Sequence, residues 1–250
     1  MNVAEKTLQL KQDFDEVYEA GWEKYRSNHW DIVQANGERT NYSQNAHTGF
    51  FNGNYYDFLN FYPKHDICPV GDASHLFYTW RKDNHSGSLS KRLKECGVVL
   101  DTSQATTLRY AFAYSYISEI PTIDFTGITL FDNNTGVFMD TYGFVKIIEK
   151  IIVKEDLTYA SWFRNCAGLK SITVEGVIGN QFDISSASIL EVDSAKSIIT
   201  HLKNYKGTEY ELTYSVLFHA NVWALLDAEG NASPNGNTWA EYVADLGWGA

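Results

Sequence analysis

The sequence predicts an α+β fold in which a short array of stacked repeats with parallel strands follows an N-terminal helix and is covered by capping elements at both ends. Three observations carry the prediction. Three central segments can be set under one another: "ATTLRYAFAYSYISEIPTIDF" (105–125), "TGVFMDTYGFVKIIEKIIV" (135–153) and "YASWFRNCAGLKSITVEGVI" (159–178). Each runs from a large apolar side chain into a β-branched stretch, "TIDF", "KIIV" or "SITVEG". The sequence on either side breaks this period and reads as helices and loops. A period of roughly 20–29 residues with one short strand per unit is the signature of a leucine-rich-repeat solenoid, in which no unit can bury its apolar side alone.

From the start of the chain, residues 3–26 read as a helix. Val3, Leu10, Phe14 and Val17 recur at helical spacing among Lys, Gln, Asp and Glu, and Gly21 weakens the middle. That narrow stripe either docks on its own domain or pairs with copies of itself, so these four residues are the candidate oligomerisation residues. Residues 27–65 are rich in Asn, Gly, Tyr and Ser and read as loops and short strands. Within them, Phe50 to Pro63 concentrates aromatic side chains. Phe51, Tyr55, Phe58 and Phe61 are expected as buried cap residues, with Asn52-Gly53-Asn54 as a turn. The hydroxyls of Tyr55, Tyr56 and Tyr62 stand as candidates for reaching a partner. "SLSKRLKECG" (88–97) reads as a helix stopped by Gly97, and "VVLD" (98–101) as a strand.

In the repeats, Phe163, Leu169 and Ile172 of the third unit match Met139, Val145 and Ile148 of the second at the same spacing. Phe112, Ile117 and Ile120 match in the first unit with one residue fewer. Stacking would bury Phe112, Met139 and Phe163 in one column and Ile120, Ile148 and Ile172 in another, with the strands parallel. Beyond residue 180 the period fades. Residues 193–207 read as a helix capped by Asp193 or Ser194, 209–218 as a strand, and 221–230 as a helix ended by Gly230. A last helix opens on a Thr238-x-x-Glu241 capping box and stops at Gly247. The resulting division is 1–45 for the N-terminal helix and linker, 46–97 for an N-terminal cap, 98–182 for the repeats and 183–250 for a C-terminal α/β cap.

Composition narrows the function. Net charge is −11, which disfavours nucleic acid and anionic membranes as partners. No run of apolar residues is long enough for a membrane span, and "MNVAEKTLQLKQDFDEVYEAG" has neither the basic nor the apolar region of a secretory signal. Cys68, Cys96 and Cys166 are widely spaced and odd in number, so they are expected as reduced, buried thiols rather than a disulfide or zinc framework. None of the motifs HExxH, GxSxG, GxGxxG or a P-loop is present. No catalytic residue, metal site or cofactor is therefore expected, and the chain reads as a non-enzyme. Asp132 to Gly136 lacks the ligand order of a calcium loop and reads as a polar connection. Tyr114 and Tyr116, with Tyr142 and Trp162 at related places, lie in the segments that lead into the strands. The first two are the repeat region's candidate binding residues.

The unit "FRNCAGLKSITVEGVIG" (163–179) resembles the BspA-like leucine-rich repeats of bacterial surface and phage proteins. The resemblance is strongest over 159–182, weaker over 99–158 and absent from 1–60. The second unit departs from the pattern, with Thr141-Tyr142 where Asn165-Cys166 stand in the third. "NVAEK", "YPKHDICP" (62–69) and "SILEVDSAKSIITHL" (188–202) are similar to proteins encoded in phages and prophages of Gram-positive gut bacteria. The resemblance implies a non-enzymatic, tail-associated virion protein that uses its repeats for assembly or adhesion. Its partners would be other virion proteins or a host surface protein or glycan. The alternative is a bacterial cell-surface adhesin or glycan-binding module.

Overall fold

A computed structural model describes residues 32–33, 39–40, 66–78, 87–129 and 136–249. The described part is a mixed α/β structure whose central sheet is parallel. Strands β1 (Ile32–Val33), β2 (Arg39–Thr40) and β3 (Asp66–Ile67) pair antiparallel, with β1 in the middle. β4 (Gly71–Asp72) pairs parallel with β6 (Ala105–Thr107). The main sheet holds β5 (Gly87–Ser88), β7 (Ile117–Ile120), β8 (Ile123–Asp124), β9 (Ile147–Val153) and β10 (Ser171–Gly176). Its order is β10-β9-β7-β5, with β8 continuing β7 along β9. Pro121 separates β7 from β8 because it has no N–H to give the ladder. β11 (Phe182–Asp183) and β12 (Val216–Leu217) form a last parallel pair.

Register matches the expected isoleucine column. Ile120 pairs with Ile148, and Ile148 with Ile172. Lys146 N–H donates to Ser118 C=O and Lys170 N–H to Lys146 C=O, both at 2.8 Å, which places Ile117, Val145 and Leu169 side by side. All nine expected repeat-core residues are buried.

The aromatic column corrects one expectation. Phe138, not Met139, lies between Phe112 and Phe163, with ring centroids at 5.6 and 5.3 Å and interplanar angles of 21° and 18°. The stack extends to Phe77 at one end (5.3 Å) and Phe182 at the other (5.5 Å). Phe77, Phe112, Phe138 and Phe163 all lie in turns, so the spacings show that turns stack at nearly the separation of adjacent strands, about 4.8 Å. Met139 is 7% exposed at the rim of the core. The second segment has seven residues from Phe138 to Val145, against five from Phe112 to Ile117 and six from Phe163 to Leu169. Its extra length moved the sequence match one place along. Trp162 belongs to the core at 1% exposure, against Phe125 and Tyr159.

Helices cover both edges of this sheet. Helix α1 (Leu89–Cys96) follows β5 and is N-capped by Ser88, and it ends at Gly97 with φ 68°, the stop that the sequence predicted. Helix α2 (Val192–Ile199) lies along β10. The Ser194 and Ser197 hydroxyls accept from the N–H groups of Ile172 and Val174 at 3.0 and 2.9 Å. Serine oxygens thus replace the carbonyls of a further strand. Helix α2 is shorter than predicted and its N-cap is Glu191. Ser194 is spent on the sheet edge instead, and the chain after Thr200 is held by pairing of Leu202 with Ile178.

The predicted strand at 209–218 reduces to Val216–Leu217. Residues 206–214 are turns, packed through Tyr205 and Tyr214 on buried Trp248. Likewise 98–101 supplies only a bridge, from Leu100 to Ile67. Helix α3 (Ala220–Asp227) and helix α4 (Trp239–Asp245) complete this end, and α4 carries the expected Thr238–Glu241 capping box. Cys68 and Cys166 are buried and Cys96 is half-buried, all as free thiols. Among the described residues, no helix is long and apolar enough to cross a membrane. The expected helix at 3–26 with Val3, Leu10, Phe14 and Val17, and the aromatic stretch with Tyr55, Tyr56 and Tyr62, lie outside the described residues.

Candidate functional site

The turns that lead into the main sheet stack as regularly as the strands. His75 N–H donates to Arg109 C=O at 2.9 Å, and Phe112 N–H to Val137 C=O at 2.9 Å. His75, Tyr110 and Gly136 therefore occupy one turn position in successive segments, and all three have left-handed backbones, with φ of 60°, 56° and 77°. A second column forms in the same way. Tyr114 N–H donates to Met139 C=O at 3.1 Å and Asp140 N–H to Arg164 C=O at 2.8 Å. Tyr114, Asp140 and Asn165 lie in that column with φ of 57°, 55° and 59°. Tyr142 adds another left-handed residue, at φ 49°, within the longer second segment.

Left-handed backbone is cheap for Gly and tolerable for Asn and Asp, whereas a bulky side chain there is strained. The two columns contain both kinds of solution. Gly136 occupies its place because a Cβ there would meet Met139 Sδ at 2.1 Å and the Tyr110 ring at 2.7 Å. Asn165 and Asp140 use the tolerant residue types. Tyr110, Tyr114 and Tyr142 do not. Each of these three tyrosines therefore holds a strained backbone at a turn, as the exposed Leu212 also does at φ 59°.

Tyr114 is held in a polar network. Its phenol is hydrogen-bonded to the Asp140 carboxylate. Asn165 Nδ2 donates to Asp140 Oδ1 at 2.6 Å, and Arg164 Nη2 lies 3.3 Å from Oδ2. The Asp140 side chain is only 6% exposed. Burial, the largest single influence, pushes its pKa up. Asn165, Tyr114 and Arg164 together outweigh burial and hold the carboxyl below the usual range. Tyr78 meets the Tyr114 ring edge-on at 5.6 Å and touches His75 at 4.9 Å. Tyr116 leans on Phe144 with centroids 3.7 Å apart. Tyr142 is 51% exposed.

Of the sequence candidates, Tyr114 and Tyr116 are both half-buried on this surface. Sequence reasoning missed Tyr78, Tyr110, His75 and Arg109, and it did not single out Asp140. The alternation of tyrosines in "RYAFAYSY" (109–116) was the available signal. What was lacking was the left-handed conformation, which propensity assigns to Gly and Asn rather than to Tyr. Among the described residues, no three His, Cys, Asp or Glu side chains come together in a way that could hold a metal ion.

No protein-family model, curated protein or solved structure matches this chain.

Proposed function

We propose that this chain is a non-enzymatic adhesion or assembly protein, built as a short BspA-like leucine-rich-repeat solenoid, and that it serves as a tail-associated component of a phage virion. The solenoid reading draws support from the aromatic stack Phe77–Phe112–Phe138–Phe163–Phe182 and from parallel pairing at offsets of 28 and 24 residues, Ile120 to Ile148 to Ile172. The observation that carries the adhesive reading is the set of three tyrosines, Tyr110, Tyr114 and Tyr142, in left-handed turns on one surface. Tyrosine offers a large rigid face with a polar tip, which suits recognition of protein or glycan. Those turns are where a repeat array places side chains that its core does not need.

Two measurements test the proposal. Mass spectrometry of purified particles should find peptides of the chain in the virion, and their absence would remove the virion assignment. The immobilised full chain should retain host cell envelopes, and Tyr142→Asn should abolish retention without unfolding the protein. Retention equal to wild type in that variant would remove the tyrosine surface from the function.

A further inference from the structure

Beside the tyrosine surface stands a cation that no acidic side chain among the described residues pairs with. Arg109 lies on the turn before Tyr110, with its guanidinium carbon 4.8 Å from the Tyr110 ring centroid. Arg109 is half-buried, and its Nε is buried with no hydrogen-bond partner. None of the ion pairs among the described residues uses it, whereas Arg92, Lys150, Lys154, Arg164, Lys170 and Lys196 all have acidic partners. Lys94 and Lys146 also lack an ion pair, but both lie exposed on the surface. A half-buried arginine with no ion pair among the described residues, in a chain of net charge −11, calls for a physical reason.

Its neighbour repeats the pattern. His75 Nδ1 is also buried without a partner, and the imidazole sits 5.3 Å from Tyr110 and 4.9 Å from Tyr78. Two basic side chains with unfilled hydrogen-bonding positions therefore flank the same tyrosine ring. The guanidinium fork is the group best matched to a planar carboxylate, and its packing over Tyr110 orients it before a ligand arrives.

We propose that Arg109 and His75, with the rings of Tyr78 and Tyr110, form a subsite for a carboxylate-bearing glycan, the acid group meeting Arg109 and the sugar face resting on tyrosine. The assignment rests on the adhesive reading above and names its ligand class. Aromatic rings beside the cation favour a uronic-acid sugar over an acidic peptide, which needs the charge but not the flat apolar face. Burial, then Arg109, holds the His75 pKa below its usual value, against a smaller opposing pull from Asp72. A bound carboxylate would offset Arg109 and raise that pKa. Protonated His75 then binds more tightly, so affinity rises as pH falls through the His75 titration.

The test uses the full chain and three probes in calorimetry and NMR: tetragalacturonic acid, neutral maltotetraose and tetraglutamate. Tetragalacturonic acid should bind, maltotetraose should bind on the order of tenfold more weakly, and Arg109→Gln should remove that difference. Arg109→Lys, which keeps the charge but loses the fork, should recover only part of it. The His75 imidazole resonances should titrate at higher pH with ligand present. Circular dichroism on each variant separates misfolding from lost contact. No binding of tetragalacturonic acid, or binding indifferent to Arg109→Gln, overturns the subsite. Tetraglutamate binding as tightly as tetragalacturonic acid overturns the glycan assignment. If envelope retention still depends on Tyr142 while Arg109→Gln has no effect, the anionic subsite fails and the adhesive reading stands.

Discussion

Replacing Tyr142 by Asn separates a residue kept for folding from one kept for contact. Two terms oppose each other. Releasing a bulky side chain from the left-handed region recovers about 1–2 kcal/mol, because Asn visits that region readily. Against this, Tyr142 as a residue is 51% exposed, so the substitution gives up at most the burial of the other half. Half of a tyrosine is roughly 100 Å², or about 2.5 kcal/mol at 25 cal/mol per Å², and a realistic unfolded reference lowers that toward 1.5. The terms nearly cancel. Urea denaturation should place Tyr142→Asn within about 1 kcal/mol of wild type, and the thermal midpoint should move by less than about 4 °C. A loss of about 3 kcal/mol or more, the scale of a core aromatic, would show that Tyr142 is held for packing and would refute the reasoning from strain.

Four further predictions concern the frame of the site. Ser194→Ala leaves the Ile172 N–H without an acceptor at the edge of β10 and should cost about 1–3 kcal/mol in denaturant unfolding, with hydrogen exchange at Ile172 accelerated. Phe138→Ala should cost about 3–5 kcal/mol, whereas Met139→Leu should cost less than about 1.5, since only the phenylalanine lies in the ring stack. The Asp140 pKa lies below its usual 3.8, so the ionised group stabilises the fold above that pH and the contribution fades as pH falls through the lowered value. Acid titration of Asp140→Asn should therefore show a flatter loss of stability at low pH than wild type. The Cys166 thiol, pushed up to about 12 by burial, should resist Ellman's reagent at pH 8 until the protein unfolds.

Sequence reading succeeded where one local rule and the tertiary structure agreed. The isoleucine column was legible because β-branched residues recur at a fixed distance and the strands pair in that same register. The caps Gly97 and Thr238–Glu241 were legible because the motifs are local. Met139 was chosen over Phe138 because the second segment is longer, and a spacing rule cannot see where a chain stores extra residues. The short extent of helix α2 was hidden because the pairing of Leu202 with Ile178 overrides helical propensity after Thr200. Tyr114 and Tyr116 were singled out by residue type, and both lie half-buried. Arg109 and His75 were not, since an unpaired charge shows only when its neighbours are known.

The serine-lined edge of β10 has a consequence for how such a chain can change length. Ser194 and Ser197 accept from whichever strand lies beneath them and read only its backbone. A block of about 25 residues could be inserted or deleted between β7 and β10 without redesigning the terminating helix. On the repeat reading proposed above, length and closure are thus separable, and a gene duplication or loss could lengthen or shorten the array. The same closure occupies the Ile172 and Val174 N–H groups of β10, so among the described residues that stretch offers no open donors to an added strand of a second copy.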